Sequence, residues 1–162
     1  MQTHTCFTKT IGKLLAVGAF GAVVLGANEA ASQNVYVAKF VCGRAATVQQ
    51  IPPPVATGFY FTAINVHTID ENKFEKIFSV ALPSEKAGKV SRPFGTPMKP
   101  NEALEIDCPD ILRHLEMPPT SFAKGFVTIR SERELDVVAV YTAAAAPTGN
   151  VITMEVERVP KR

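Results

Sequence analysis

The sequence predicts an all-β fold, a sandwich of about seven antiparallel strands with Greek-key, immunoglobulin-like connections, one short helix and a preceding signal peptide. Three observations lead there. Turn-forming residues cut the chain after residue 32 into runs of strand length. Those runs are rich in β-branched and aromatic residues, which suit a pleated surface. The last run, Val151 to Val159, alternates Ile152, Met154 and Val156 with Thr153, Glu155 and Glu157, the period-2 pattern of a sheet with one wet face.

The first thirty residues differ in kind from the rest. Lys9 and Lys13 precede an uninterrupted apolar stretch from Leu14 to Ala27, and small and polar residues follow. Basic, then apolar, then small is the order of a secretory signal peptide. The apolar stretch is about 14 residues, against the roughly 20 that a membrane-spanning helix needs. Ala30-Ala31-Ser32 before Gln33 offers small side chains for cleavage, with Leu25-Gly26-Ala27 before Asn28 as a second site and an uncleaved anchor as the alternative. The expected organisation is therefore a signal over 1–32 and a single domain over 33–162. That domain is expected to be periplasmic or extracellular, with no membrane span.

The elements follow in order. Asn34 to Val41 is a strand through Val35, Tyr36, Val37 and Phe40. Ile51-Pro52-Pro53-Pro54 forbids regular structure, because proline fixes φ and lacks a donor. Phe59 to Val66 is the second strand. A polar turn from Thr68 to Asn72 leads to the third, Lys73 to Leu82, which places Phe74, Phe78, Val80 and Leu82 on one face with Lys76. Pro83 to Pro100, with four prolines, reads as a mobile loop. Ala103 to Ile106 is a short strand. Pro109 to Leu115 suits two helical turns, with Pro109 at the first position and Asp110 near the positive end. Pro118-Pro119 ends that helix. Lys124 to Ile129, Leu135 to Thr142 and Val151 to Val159 are three further strands, the middle one apolar on both faces, with a turn region from Ala143 to Asn150. A small closed barrel is the alternative architecture. An antibody-type domain would need a core tryptophan, and the chain has none.

Charge and cysteine content narrow the function. The chain has 17 Lys+Arg and 15 Asp+Glu; without Lys9, Lys13 and Glu29 the balance is about +1. A nearly neutral domain lacks the basic footprint that nucleic-acid binding requires. Beyond Cys6, the cysteines are Cys42 and Cys108. An even pair in an exported domain reads as a disulfide, with two free buried thiols as the alternative. Closing about 66 residues stabilises by roughly 4 kcal/mol on the chain-entropy argument.

No catalytic or metal-binding pattern stands out, and no cofactor is expected. His67 ends a strand and is followed by Asp70, Glu71 and Asn72. Such a polar cluster could share a divalent cation, although a β-turn in which Asp and Asn bond their own backbone accounts for it more simply. His114 reads as exposed helix surface. Asp107 and Asp110 flank Cys108 and read as helix caps rather than acid–base carboxylates. Tyr60, Phe59 and Phe61 could form a ligand-facing aromatic patch, but alternation must place some of them in the core, and core packing is the simpler reading.

Lys39-Phe40-Val41-Cys42-Gly43, Ala63-Ile64-Asn65-Val66-His67, Leu104-Glu105-Ile106-Asp107-Cys108-Pro109-Asp110, Lys124-Gly125-Phe126-Val127 and Leu135-Asp136-Val137-Val138-Ala139-Val140-Tyr141-Thr142 together resemble a family of small exported prokaryotic β-sandwich proteins with no assigned function. The resemblance covers nearly all of the chain after the signal and implies the fold, but no activity. Phe126 to Thr142 is also similar in pattern to the sandwich of sensory-rhodopsin-transducer-type proteins. The functional expectation is a non-enzymatic module acting in the cell envelope or outside the cell. Its partner is an unknown protein or a second copy, reached through sheet edges and the segment from Pro83 to Pro100. The alternative is a small-ligand or carbohydrate-binding domain, or a hydrolase with its site on loops near His67.

Overall fold

The computed structural model describes residues 33–45, 55–145 and 148–162. The signal peptide read over 1–32, Cys6, Ile51 to Pro54 and the end of the alanine run lie outside these residues. The elements are β1 (Asn34–Ala45), β2 (Gly58–His67), β3 (Asn72–Leu82), β4 (Lys86–Val90), β5 (Phe94–Met98), β6 (Ala103–Asp107), α1 (Cys108–His114), β7 (Ala123–Ser131), β8 (Asp136–Ala144) and β9 (Val151–Arg158).

All pairings between these strands are antiparallel, and they form an open two-layer sandwich. In the first layer β3 pairs with β7 and β7 with β1, while β4 and β5 both pair with β3. In the second layer β2 pairs with β8 and β8 with β9, and β6 flanks the other edge of β2. The path ends at β4 and β9 without closing, so the fold is a sandwich and not the alternative barrel. The chain crosses between layers from β2 to β3, from β5 to β6 and from β7 to β8.

β1 joins the two layers. Asn34 to Cys42 pair with β7, whereas Gly43 to Ala45 pair with β2. The change of sheet falls at Gly43, whose φ of +92° favours a residue without Cβ. A Cβ there would also run into the carbonyl oxygen of Ser121. Cys42, just before this corner, is bonded to Cys108 at the start of α1, with their Cα atoms 5.5 Å apart. The predicted disulfide is thus present and ties the sheet-changing strand to the helix.

The core is built by alternation. Tyr36, Ala38, Phe40 and Cys42 of β1, with Val127 and Ile129 of β7 beside them in the same layer, face Ile64 and Val66 of β2 and Val137 and Ala139 of β8. β3 adds Phe74 and Phe78, as its pattern predicts, but Leu82 has left the core and is exposed. α1 adds Ile111 and Leu112. Asp107 is its N-cap and accepts from the Asp110 N–H at 3.0 Å, which bears out the capping role. Asp110 instead pairs with Arg113.

His114 departs from expectation. It is half-buried, stacked on Phe78 with centroids 5.3 Å apart and tilted against Phe94 at 4.0 Å. Burial, then the Lys76 and Arg113 charges, hold its pKa below the ordinary imidazole value, and Asp110 opposes them. Lys76 points toward the same helix; burial lowers its pKa against the pull of Asp110.

The stretch from Pro83 to Pro100 is not the loop its composition suggests. Its residues supply β4 and β5, both laid along β3. Pro97 sits in β5 opposite Lys73; an edge strand tolerates a residue with no N–H to donate. Similarly, Ala143 and Ala144 extend β8 rather than belonging to a turn, and beyond them the Gly149 N–H donates to the Ala145 carbonyl.

Ahead of Gly43, the second edge of β1 is met among the described residues by a side chain and the C-terminal residues. The Thr62 hydroxyl, fully buried, accepts from the Val41 N–H at 3.0 Å and donates to the Val41 carbonyl at 3.1 Å. Arg162 N–H donates to the Val35 carbonyl, and Lys161 bridges to Tyr36. Thr62→Val keeps the shape and leaves both Val41 groups unpaired. It is expected to lower the unfolding free energy by about 2 kcal/mol in urea titration, while Thr62→Ser costs less than half of that.

Candidate functional site

Alternation divides β2 and β8 cleanly. Ile64 and Val66 face the core beside Ala139 and Val137. The opposite parity therefore faces outward: Phe59, Phe61, Ala63, Asn65 and His67 on β2, against Ala144, Thr142, Val140, Val138 and Asp136 on β8. Phe59 is 39% exposed and Phe61 42%. Tyr60 between them is half-buried and points inward, its ring edge-on to Phe122. The expectation that Phe59 and Phe61 serve the core is overturned; they form an aromatic patch on the surface.

β9 extends this face. Val156, Met154 and Val151 lie opposite Val140, Thr142 and Ala144 of β8. Every residue of β9 is exposed, with Met154 at 66%. Its alternating pattern predicts one wet face, but both faces are open, because the strand lies beyond the first layer. Its apolar side points away from the core. Its polar side, Thr153, Glu155 and Glu157, lines a groove with Lys39 and Tyr141. There the Tyr141 hydroxyl donates to Glu157 Oε2 at 2.8 Å, and burial followed by this carboxylate raises the phenol pKa.

The outer face of β2, β8 and β9 thus carries an apolar centre with charges at its margins. At one end Arg44 lies opposite Phe59, its guanidinium 5.6 Å from the ring centroid. Along the same side of β2, Glu105 and Asp107 lie opposite Asn65 and Ala63. At the far corner Arg158 pairs with Asp136 at 2.9 Å. An apolar centre within a polar rim is the anatomy of a protein–protein contact. The first layer's outer face is mixed: Val37 and Ile77 share it with Lys39, Arg130 and Glu75.

No family model, curated protein or solved structure matches the chain.

The polar cluster is partly assembled. His67 and Asp70 line one cleft of about 800 Å³ with Glu134, Asp136, Arg158 and Lys161, and Glu71 is not among its lining residues. The polar segment here is held by Thr68, whose hydroxyl donates to the Asp70 carbonyl at 2.7 Å, and not by Asp and Asn bonding their own backbone. The Asn72 side chain instead accepts from the Ser131 hydroxyl and donates to the Arg133 carbonyl. The acidic side chains of the cleft face cations: Asp70 lies 3.9 Å from Arg133, Glu134 3.6 Å from Lys161, and Asp136 contacts Arg158. Among the described residues no three His, Cys, Asp or Glu side chains converge as metal ligands. Nor, among these residues, is any helix long and apolar enough to cross a membrane.

Proposed function

We propose that this chain is an exported, non-enzymatic β-sandwich module that binds protein through the outer face of β2, β8 and β9, in the cell envelope or outside the cell. The apolar face carries the proposal. Five residues whose exposed surfaces merge, Phe59, Phe61, Val151, Met154 and Val156, are costly to leave in water. Among the described residues β9 pairs on one side only, so its other edge presents backbone groups beside that face. Export is supported by the basic-apolar-small order of residues 1–32 and by the disulfide, which oxidising compartments preserve. On this reading the chain belongs with the small exported β-sandwich proteins that its motifs resemble.

Photo-crosslinking in intact cells tests the surface. A crosslinking amino acid at Phe61 or Met154 is expected to give protein adducts, and one at Phe126, equally exposed on the first layer, is not. Equal yields from positions 61 and 126 would remove the face from the account.

A further inference from the structure

We infer that the occupant of this face is a second copy of the same chain, packed sheet against sheet about a two-fold axis. The inference rests on the reading above that the face binds protein, and area and charge placement support it.

The exposed surface of Phe59, Phe61, Val151, Met154 and Val156, with the partly exposed side chains of β8 between them, is roughly 700 Å². A standard interface buries about 800 Å² on each partner. The apolar centre alone therefore approaches what a stable dimer needs from one subunit. Stacked sheets bury such a face completely, whereas edge pairing of β9 would leave it in water.

The charges select the axis. Arg44 and Glu105 lie on the same side of β2, opposite Phe59 and Asn65. These positions are equally far from Thr62, one toward each end of the strand. A two-fold axis lying between the sheets and crossing β2 at Thr62 sends position 59 over position 65 and position 61 over position 63. Arg44 of each copy then meets Glu105 of the other. Phe61 meets Ala63, Thr142 meets Val140, and Met154 meets Val156, by the same register. An axis along the strands would pair Glu105 with Arg158 but lay Arg44, which has no carboxylate partner among the described residues, over Val151. The axis through Thr62 lays Val151 over Arg158, which keeps its own bond to Asp136. Isologous contacts of this kind, in which i meets j and j meets i, are the commonest route to a soluble dimer.

Sedimentation equilibrium of the exported chain, with its disulfide intact, tests the inference. A dimer is expected. Arg44→Glu and Glu105→Arg should each weaken it about tenfold or more, and the double reversal should return it to within about threefold of the original. Phe61→Asp should give a folded monomer whose unfolding midpoint equals that of the parent at concentrations low enough for the parent to be monomeric, since the side chain faces outward. A chain that stays monomeric at every concentration overturns the second copy, as does a dimer indifferent to both reversals. A double reversal that fails to recover association overturns it too. Monomeric behaviour combined with heterologous adducts from position 61 in cells would sink this inference and leave the binding face standing. Absence of any adduct from position 61 would sink the binding face itself.

Discussion

Replacing Cys42 and Cys108 together by alanine is expected to lower the unfolding free energy by about 4 kcal/mol, a large share of the 5–15 kcal/mol typical of a single domain. The bridge closes 66 residues of separation, and the chain-entropy cost of an open loop of that length sets the size of the effect. Its position adds a structural reason. Cys42 is the last residue of β1 to pair with β7, and Gly43 begins the pairing with β2. The bridge therefore pins the corner between the layers to the first residue of α1. Both half-cystines are buried, so alanine removes the link without introducing an unsatisfied hydroxyl. Urea titration of the double variant beside the oxidised parent measures the loss. Reducing the parent under denaturing conditions should produce the same shift on refolding. A loss below about 1 kcal/mol would mean that strand pairing alone holds the corner.

Gly125→Ala is the second large effect. Gly125 is the third residue of β7, opposite Phe40 on β1 and Val80 on β3. A Cβ at this position would enter the Ser79 carbonyl oxygen and lie 2.9 Å from Cζ of Phe40. Neither neighbour can yield cheaply. The carbonyl belongs to the backbone of a central pairing, and the Phe40 ring is fully buried. The variant should lose about 4 kcal/mol or fail to accumulate as folded protein. Gly95→Ala provides the contrast. Its nearest obstacle is the flexible Lys73 side chain, at 3.4 Å, on an edge strand. Its stability should stay within about 0.5 kcal/mol of the parent. Thermal melts of the two variants side by side would decide the point, and equal melting temperatures would refute the close-approach argument.

Alternation and turn residues in the sequence suffice to place β1, β2, β3, β6, α1, β7, β8 and β9 to within a few positions. They do not reveal β4 and β5. Both lie only against β3, where a strand can be short, glycine-containing and broken by Pro97, so composition reads them as loop. The disulfide and the Asp107 cap were legible, because each follows from residue type and spacing alone.

The candidate site was harder to read, since period 2 shows that two faces differ without showing which one is inside. In β2 the answer was available in the chain itself. Thr62, Ile64 and Val66 share a parity, and a strand with Ile64 and Val66 in the core must turn Phe59 and Phe61 outward. In β9 no such clue exists. Met154 and Val156 look like core residues, and only the position of the strand beyond the opposing layer exposes them. His114 is half-buried for a related reason that its own element does not show. Its helix neighbours are charged, but β3 and β5 bring Phe78 and Phe94 to its ring.

The central claim, that the outer face of β2, β8 and β9 is covered by protein where this chain works, is tested most directly by comparing crosslinks from Phe61, Met154 and Phe126 in intact cells. The account predicts discrete adducts from positions 61 and 154, including one of twice the chain's mass, and a bare chain from position 126. Bare chain from all three positions, or adducts from position 126 alone, would contradict it.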